Sequence, residues 1–245
     1  MKPLNLDQVQ AICFDVDGTL SDTDDQWVAT LTGFLKPMLH LLSEKKIQSM
    51  ARSIIMAIET PGNQVYHLLD HMDLDDDAAR LLNWYTKLRV SNRKPIYLLI
   101  PGVREMLETL SSRYPMSVVS ARDERSTLDF LNQHYLLSYF TSVATAHTCR
   151  FTKPFPDPIK WTANKMNVPS QNCLMVGDTV VDIMAGRAAG AQTVGVLCGF
   201  GTETELLRSG ANLILKNTSD LTQQFFPETN LTNTIRKPQS GKETI

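Results

Sequence analysis

Six short, unbroken apolar runs are spaced along this chain, and they limit its possible folds more than any other feature. They are Val9 to Phe14, Met116 to Val119, Phe140 to Ala144, Cys173 to Val176, Thr193 to Leu197 and Leu213 to Leu215. Continuous rather than alternating apolar residues are expected of strands covered on both faces. Helical spacing lies between many of them. Val103, Met106, Leu107 and Leu110 fall on one helix face, and Leu128, Leu131 and Tyr135 fit another. Ile183, Arg187 and Ala188 belong to a third helix, with Gly190 as its stop. Strands alternating with helices predict βαβ units: an α/β fold with a Rossmann-like, doubly wound, mainly parallel sheet.

One stretch departs from this rhythm. Between Leu20 and Ile100 no strand is legible, whereas Val28 to Leu42, Ile47 to Ile58, Val65 to Met72 and Ala78 to Val90 read as helices. Pro61-Gly62, the acidic run Asp73 to Asp77 and Pro95 separate them. The expected organisation is an α/β core of residues 1–19 and 101–226, an inserted all-helical cap of residues 20–100, and a polar, flexible tail of residues 227–245.

Composition narrows the class of function. A net charge of −2 over 245 residues does not suit a general nucleic-acid binder. No apolar run is long enough to span a bilayer, and no secretory signal is evident. Cys13, Cys149, Cys173 and Cys198 form no CxxC pair, so buried reduced thiols in a cytoplasmic protein are expected rather than a zinc site.

In open α/β sheets, ligands bind beyond the carboxyl ends of the strands. Four clusters occupy such positions: Asp15-Val16-Asp17-Gly18-Thr19, Ser120-Ala121-Arg122-Asp123, Lys153 to Pro158 on a longer connection, and Gly177 to Asp182. With the strands paired in parallel they meet on one edge. Asp15, Asp17 and Asp178 together would repel unless a cation or proton neutralised them, and oxygen ligands favour a hard cation such as Mg²⁺. Ser120 and Lys153 suit a phosphoryl group, whose transfer needs charge neutralisation and alignment. Gly18 permits a tight turn.

Each cluster also has a plain structural explanation. Asp-x-Asp-Gly can be a turn, Ser120 a helix cap, and Lys153 a solvated lysine. Asp178 and Asp182, one helical turn apart, suit capping of a helix start. Arg122 either reaches toward a substrate or pairs with Asp123 or Asp182. The four clusters in order, each following a strand, are harder to explain that way.

Together, DVDGT (Asp15 to Thr19), VVS (Val118 to Ser120), KPFPDP (Lys153 to Pro158) and GDTVVD (Gly177 to Asp182) resemble the four motifs of the haloacid dehalogenase superfamily of phosphohydrolases. Ala189 to Leu197, Gly199-Phe200-Gly201 and Gly210 to Leu213 are similar to its phosphoglycolate-phosphatase-like branch, and the insert resembles that branch's helical cap. The resemblance implies Asp15 as the nucleophile, forming an aspartyl phosphate, and Asp17 as general acid and then base. It implies Mg²⁺ held by Asp15, the Asp17 carbonyl and Asp178, with Asp182 orienting the metal's waters from behind. Ser120 and the amide of Ala121 would bind phosphate oxygens, and Lys153 would neutralise both nucleophile and phosphate. Asp17 favours phosphate esters over dehalogenation.

The expected activity is therefore Mg²⁺-dependent hydrolysis of a small phosphate monoester, with a small phosphorylated metabolite as partner and a monomer or homodimer as the assembly. A phosphomutase on the same site and a non-catalytic binding module remain alternatives. Arg52, Asn63, Tyr66, His67 and Lys87 are candidate substrate contacts in the insert, each equally explained as a solvated or packing residue.

Overall fold

All six apolar runs become strands, hydrogen-bonded into one parallel sheet in a computed structural model of the chain. The structure describes residues 3–22, 31–33, 35–36, 43, 46–47, 50–51 and 97–227. The strands are β1 (Ala11–Phe14), β2 (Met116–Val119), β3 (Ser142–Ala144), β4 (Cys173–Gly177), β5 (Gln192–Val196) and β6 (Leu213–Leu215). Their spatial order is β3-β2-β1-β4-β5-β6. In register, Phe14 lies opposite Val118 of β2 on one side and Val176 of β4 on the other.

The helices flanking the sheet are α1 (Val103–Ser111), α2 (Glu124–Gln133), α3 (Asp157–Lys165), α4 (Val180–Ala188), α5 (Glu203–Ser209) and α6 (Leu221–Phe225). Side-chain alternation along β1 and β4 divides the core between two faces. Ile12, Phe14, Leu174 and Val176 join Leu107 of α1, Phe130 of α2 and Phe225 of α6. Ala11, Cys13, Cys173 and Met175 face the other way, onto Ile159 and Ala163 of α3 and Ala185 of α4. On β1 the first face carries Ile12 and Phe14, and the second the smaller Ala11 and Cys13. This is the doubly wound arrangement expected from the sequence.

One helix face differs from expectation. Tyr135 is 81% exposed and lies beyond the end of α2, at φ +53°. The buried positions are Thr127, Phe130 and Leu131, an i, i+3, i+4 set. The helix ends before the tyrosine, so apolar spacing alone overextended the face.

Of the proposed insert, the described residues 31–33, 35–36, 46–47 and 50–51 are helical. The remainder of the four helices read there lies outside the described residues, as do residues 228–245 of the tail. The chain leaves and re-enters the core through paired backbone. Ile100 N–H donates to the Leu20 carbonyl at 3.0 Å, and Ser21 bridges Leu99 in antiparallel fashion. Leu31, Leu35 and Ala51 pack against Phe200. Among the described residues no helix is long and apolar enough to cross a membrane.

Candidate active site

The strand order reverses between β1 and β4. The chain moves from β1 outward to β2 and β3, then returns to β4 on the far side of β1. Loops at such a switch point part and leave a crevice beyond the strand ends. Asp15 follows β1 directly and Asp178 follows β4 directly. Asp15 N–H donates to the Val176 carbonyl at 2.9 Å, which ties the two strand ends together.

After Asp15 the chain turns sharply. Gly18 adopts φ +67°, its N–H donates to the Ser21 carbonyl at 2.9 Å, and Leu20 N–H donates to the Val16 carbonyl at 2.8 Å. A side chain at position 18 would be strained in this left-handed backbone. The turn supports Thr19, whose hydroxyl donates to Asp178 Oδ1 at 3.2 Å.

Asp15, Asp178 and Asp182 are all buried, and one oxygen from each lies within 4.8 Å of the others. Lys153, also buried, donates from Nζ to Asp15 Oδ1 and to Asp182 Oδ1, each at 2.6 Å. Burial pushes the Asp15 carboxyl up to about 7; Lys153 opposes this, and the neighbouring charges of Asp182 and Asp17 add to it. For Lys153, burial acts against the charge, yet Asp15 and Asp182 outweigh it and raise the ammonium above its ordinary value. One ammonium among three carboxylates leaves the group short of positive charge. Clustered, dehydrated carboxylate oxygens suit a hard divalent cation, so the residues present fit Mg²⁺.

The second carboxylate of the first motif points elsewhere. Arg122 Nη2 donates to Asp17 Oδ1. For Arg122 the sequence offers Asp123, Asp182 or a substrate as partners, and the structure adds Asp17. Asp123 caps α2, its Oδ1 accepting from Ser126 N–H at 3.0 Å. Asp182 caps a helix start, as its spacing suggests, and in addition holds the lysine. Oδ2 accepts from the Thr179 amide at 3.0 Å and hydroxyl at 2.6 Å in a capping box that starts α4, while Oδ1 holds Lys153. Its carboxylate stands within the buried cluster.

Ser120 and Ala121 follow β2 on the same sheet edge. Ser120 Oγ accepts from Arg122 N–H at 3.1 Å, which leaves the hydroxyl proton to donate. Sequence spacing missed the loop after β5. Phe200 N–H donates to Asp178 Oδ2 at 2.8 Å, and a Cβ at Gly199 would overlap that same oxygen. The glycine at 199 is visible in the sequence, but its target, Asp178, follows another strand. Arg52, Asn63, Tyr66, His67 and Lys87 lie outside the described residues.

The chain is similar to several known proteins. The chain is 26% identical over 223 residues to the pyrophosphatase PpaX of Bacillus pumilus, covering 89% of this chain and 97% of that protein. It is 29% identical over 214 residues to the phosphoglycolate phosphatase of Neisseria meningitidis, covering 84% and 88%. Among solved structures, a hydrolase from Pseudomonas syringae superposes with a TM-score of 0.66 at 26% identity, covering 88% of this chain and 97% of that one. The model of the haloacid dehalogenase-like hydrolases matches residues 12–196, which takes in all four clusters, and the chain belongs to that family.

Proposed function

We propose that the protein is a Mg²⁺-dependent phosphatase that transfers the phosphoryl group of a small monoester first to Asp15 and then to water. The observation that carries this reading is the Lys153 ammonium, 2.6 Å from Asp15 and from Asp182 in a buried cluster of three carboxylates. Such a site neutralises a nucleophilic carboxylate and draws in a phosphate dianion together with a cation.

In this reading an Asp15 oxygen bonds to phosphorus as the ester P–O bond breaks. Asp17 gives its proton to the departing oxygen. Ser120 Oγ and the Ala121 amide hold the equatorial phosphate oxygens, and Lys153 offsets their charge. Water then attacks the aspartyl phosphate; Asp17 takes its proton, and Asp15 and inorganic phosphate are released. Asp15, the Asp17 carbonyl and Asp178 would hold Mg²⁺, with Asp182 beside them. When bound, the ion supplies positive charge to the nucleophile and the transferring group. Residues 20–100 would form the cap over this core of residues 1–19 and 101–226. The paired crossings at Leu20 and Ile100, and the packing of Leu31, Leu35 and Ala51 on Phe200, support that division.

Relatives named for phosphoglycolate and for pyrophosphate make these the first substrates to try. Release of inorganic phosphate from p-nitrophenyl phosphate, with Mg²⁺ and with EDTA, tests the class, and a panel of phosphorylated metabolites then ranks substrates. Absence of Mg²⁺-dependent release from every ester would refute the reading.

A further inference from the structure

The roles implied by the four motifs name no partner for the Asp17 side chain. Arg122 Nη2 donates to its Oδ1, and the two side chains are only 10% and 17% exposed. The guanidinium lies over the ring of Tyr97, with Cζ 5.1 Å from the centroid. Tyr97 is itself fixed by α2. Its N–H donates to Gln133 Oε1 at 3.3 Å, and its carbonyl accepts from Gln133 Nε2 at 2.7 Å. Its ring meets Phe130 edge-on at 6.0 Å. One helix therefore sets both members of the stack: Arg122 precedes its first turn, and Phe130 and Gln133 hold Tyr97 further along. Tyr97 also stands where the chain returns to the core, next to Leu98, whose carbonyl accepts from Asp22 N–H at 2.9 Å.

We propose that Arg122, seated on Tyr97, is a positioning residue that holds Oδ1 of Asp17 and so sets Oδ2 to carry the proton to the leaving oxygen. An aspartate in a loop otherwise samples several rotamers, and each misplaced one slows a step that needs close alignment. A guanidinium already ordered by stacking loses little further freedom when it makes the ion pair. Tyr97 then contributes to the chemistry without touching a substrate. The inference rests on the reading of Asp17 as the acid.

The test compares p-nitrophenyl phosphate with phenyl phosphate, two esters of like shape and charge. Nitrophenolate leaves readily without a proton, whereas phenolate depends more on the acid. The readout is kcat/KM, which covers steps only through the first phosphoryl transfer and so excludes later hydrolysis of the aspartyl phosphate. Arg122→Met should lose about tenfold or more on phenyl phosphate beyond its loss on p-nitrophenyl phosphate. Tyr97→Leu should shift the ratio in the same direction by less. Tyr97→Phe, which keeps the ring, should hold the wild-type ratio, and Arg122→Lys should recover part of it. Asp17→Asn should show the largest shift.

Equal losses on both esters would mean a merely structural ion pair and would overturn the proposal. A raised KM with unchanged kcat would make Arg122 a substrate ligand and overturn it equally. Should Arg122→Met fail to fold, Arg122→Lys and Tyr97→Leu carry the same comparison. If Asp17→Asn itself treats the esters alike, the acid assignment fails while phosphatase activity stands. If the wild-type protein hydrolyses neither ester, the phosphatase reading fails and takes this proposal with it.

Discussion

Lys153 Nζ lies 2.6 Å from Oδ1 of Asp182, the same separation at which it meets Asp15. A residue of the α4 cap thus holds the lysine that faces the candidate nucleophile. Asp182 is fixed in turn by the Thr179 amide and hydroxyl, so the start of the helix sets the position of the charge. Lys153→Met should leave two carboxylates buried without their cation. Breaking a buried pair in this way costs about 3–5 kcal/mol. Urea denaturation at neutral pH should show that loss, and it should shrink in acid as the abandoned carboxylates take up protons. A variant as stable as the wild type at neutral pH would contradict the pairing.

Asp15→Asn removes the oxygen that would attack phosphorus while keeping size and shape. Phosphate release should fall by about a thousandfold or more, as for loss of other covalent nucleophiles. Circular dichroism should be unchanged. Retention of more than a tenth of the wild-type rate would rule out the aspartyl phosphate route.

The Asp15 carboxyl is raised from 3.8 to about 7, first by burial. The folded state then binds this proton more tightly than the unfolded chain does. Between these values the folded protein carries the proton and the unfolded chain does not, so stability from this group falls as pH rises. It is fully present below about 4 and lost by the time pH passes about 7. In metal-free buffer, the Tm of Asp15→Asn minus that of the wild type should therefore grow between pH 4 and pH 7.5. A difference that stays flat across this range would show that Asp15 is not raised.

Gly199 lies so close to Asp178 that an added Cβ would overlap Oδ2, the oxygen that also accepts from Phe200 N–H. Gly199→Ala must displace one or the other. Loss of an outer contact to a metal ligand typically costs 10–100-fold in affinity. Calorimetric titration with Mg²⁺ should show weakening of about that size, with little change in secondary structure. Unchanged Mg²⁺ affinity would remove Asp178 from the metal site.

The sheet and the residues at its edge are legible in the order of amino acids alone. Unbroken apolar runs such as Cys173 to Val176 can be satisfied only by burial on both faces, and a parallel sheet follows from the helices between them. Asp15, Ser120 and Asp178 could be placed because each lies within two residues of the end of such a run. The end of α2 before Tyr135 is not legible in this way, because periodicity does not say where a helix stops.

Side-chain partners across the crevice belong to the tertiary structure alone. Arg122 meets Asp17 from 105 positions away, and Phe200 meets Asp178 across 22. Local spacing carries no information about which of several charged neighbours a flexible side chain will choose. That choice depends on where α2 and the loop after β5 come to rest against the sheet, which is decided by the packing of the whole core. The sequence could therefore name the charged groups of the crevice, while only the fold could pair them.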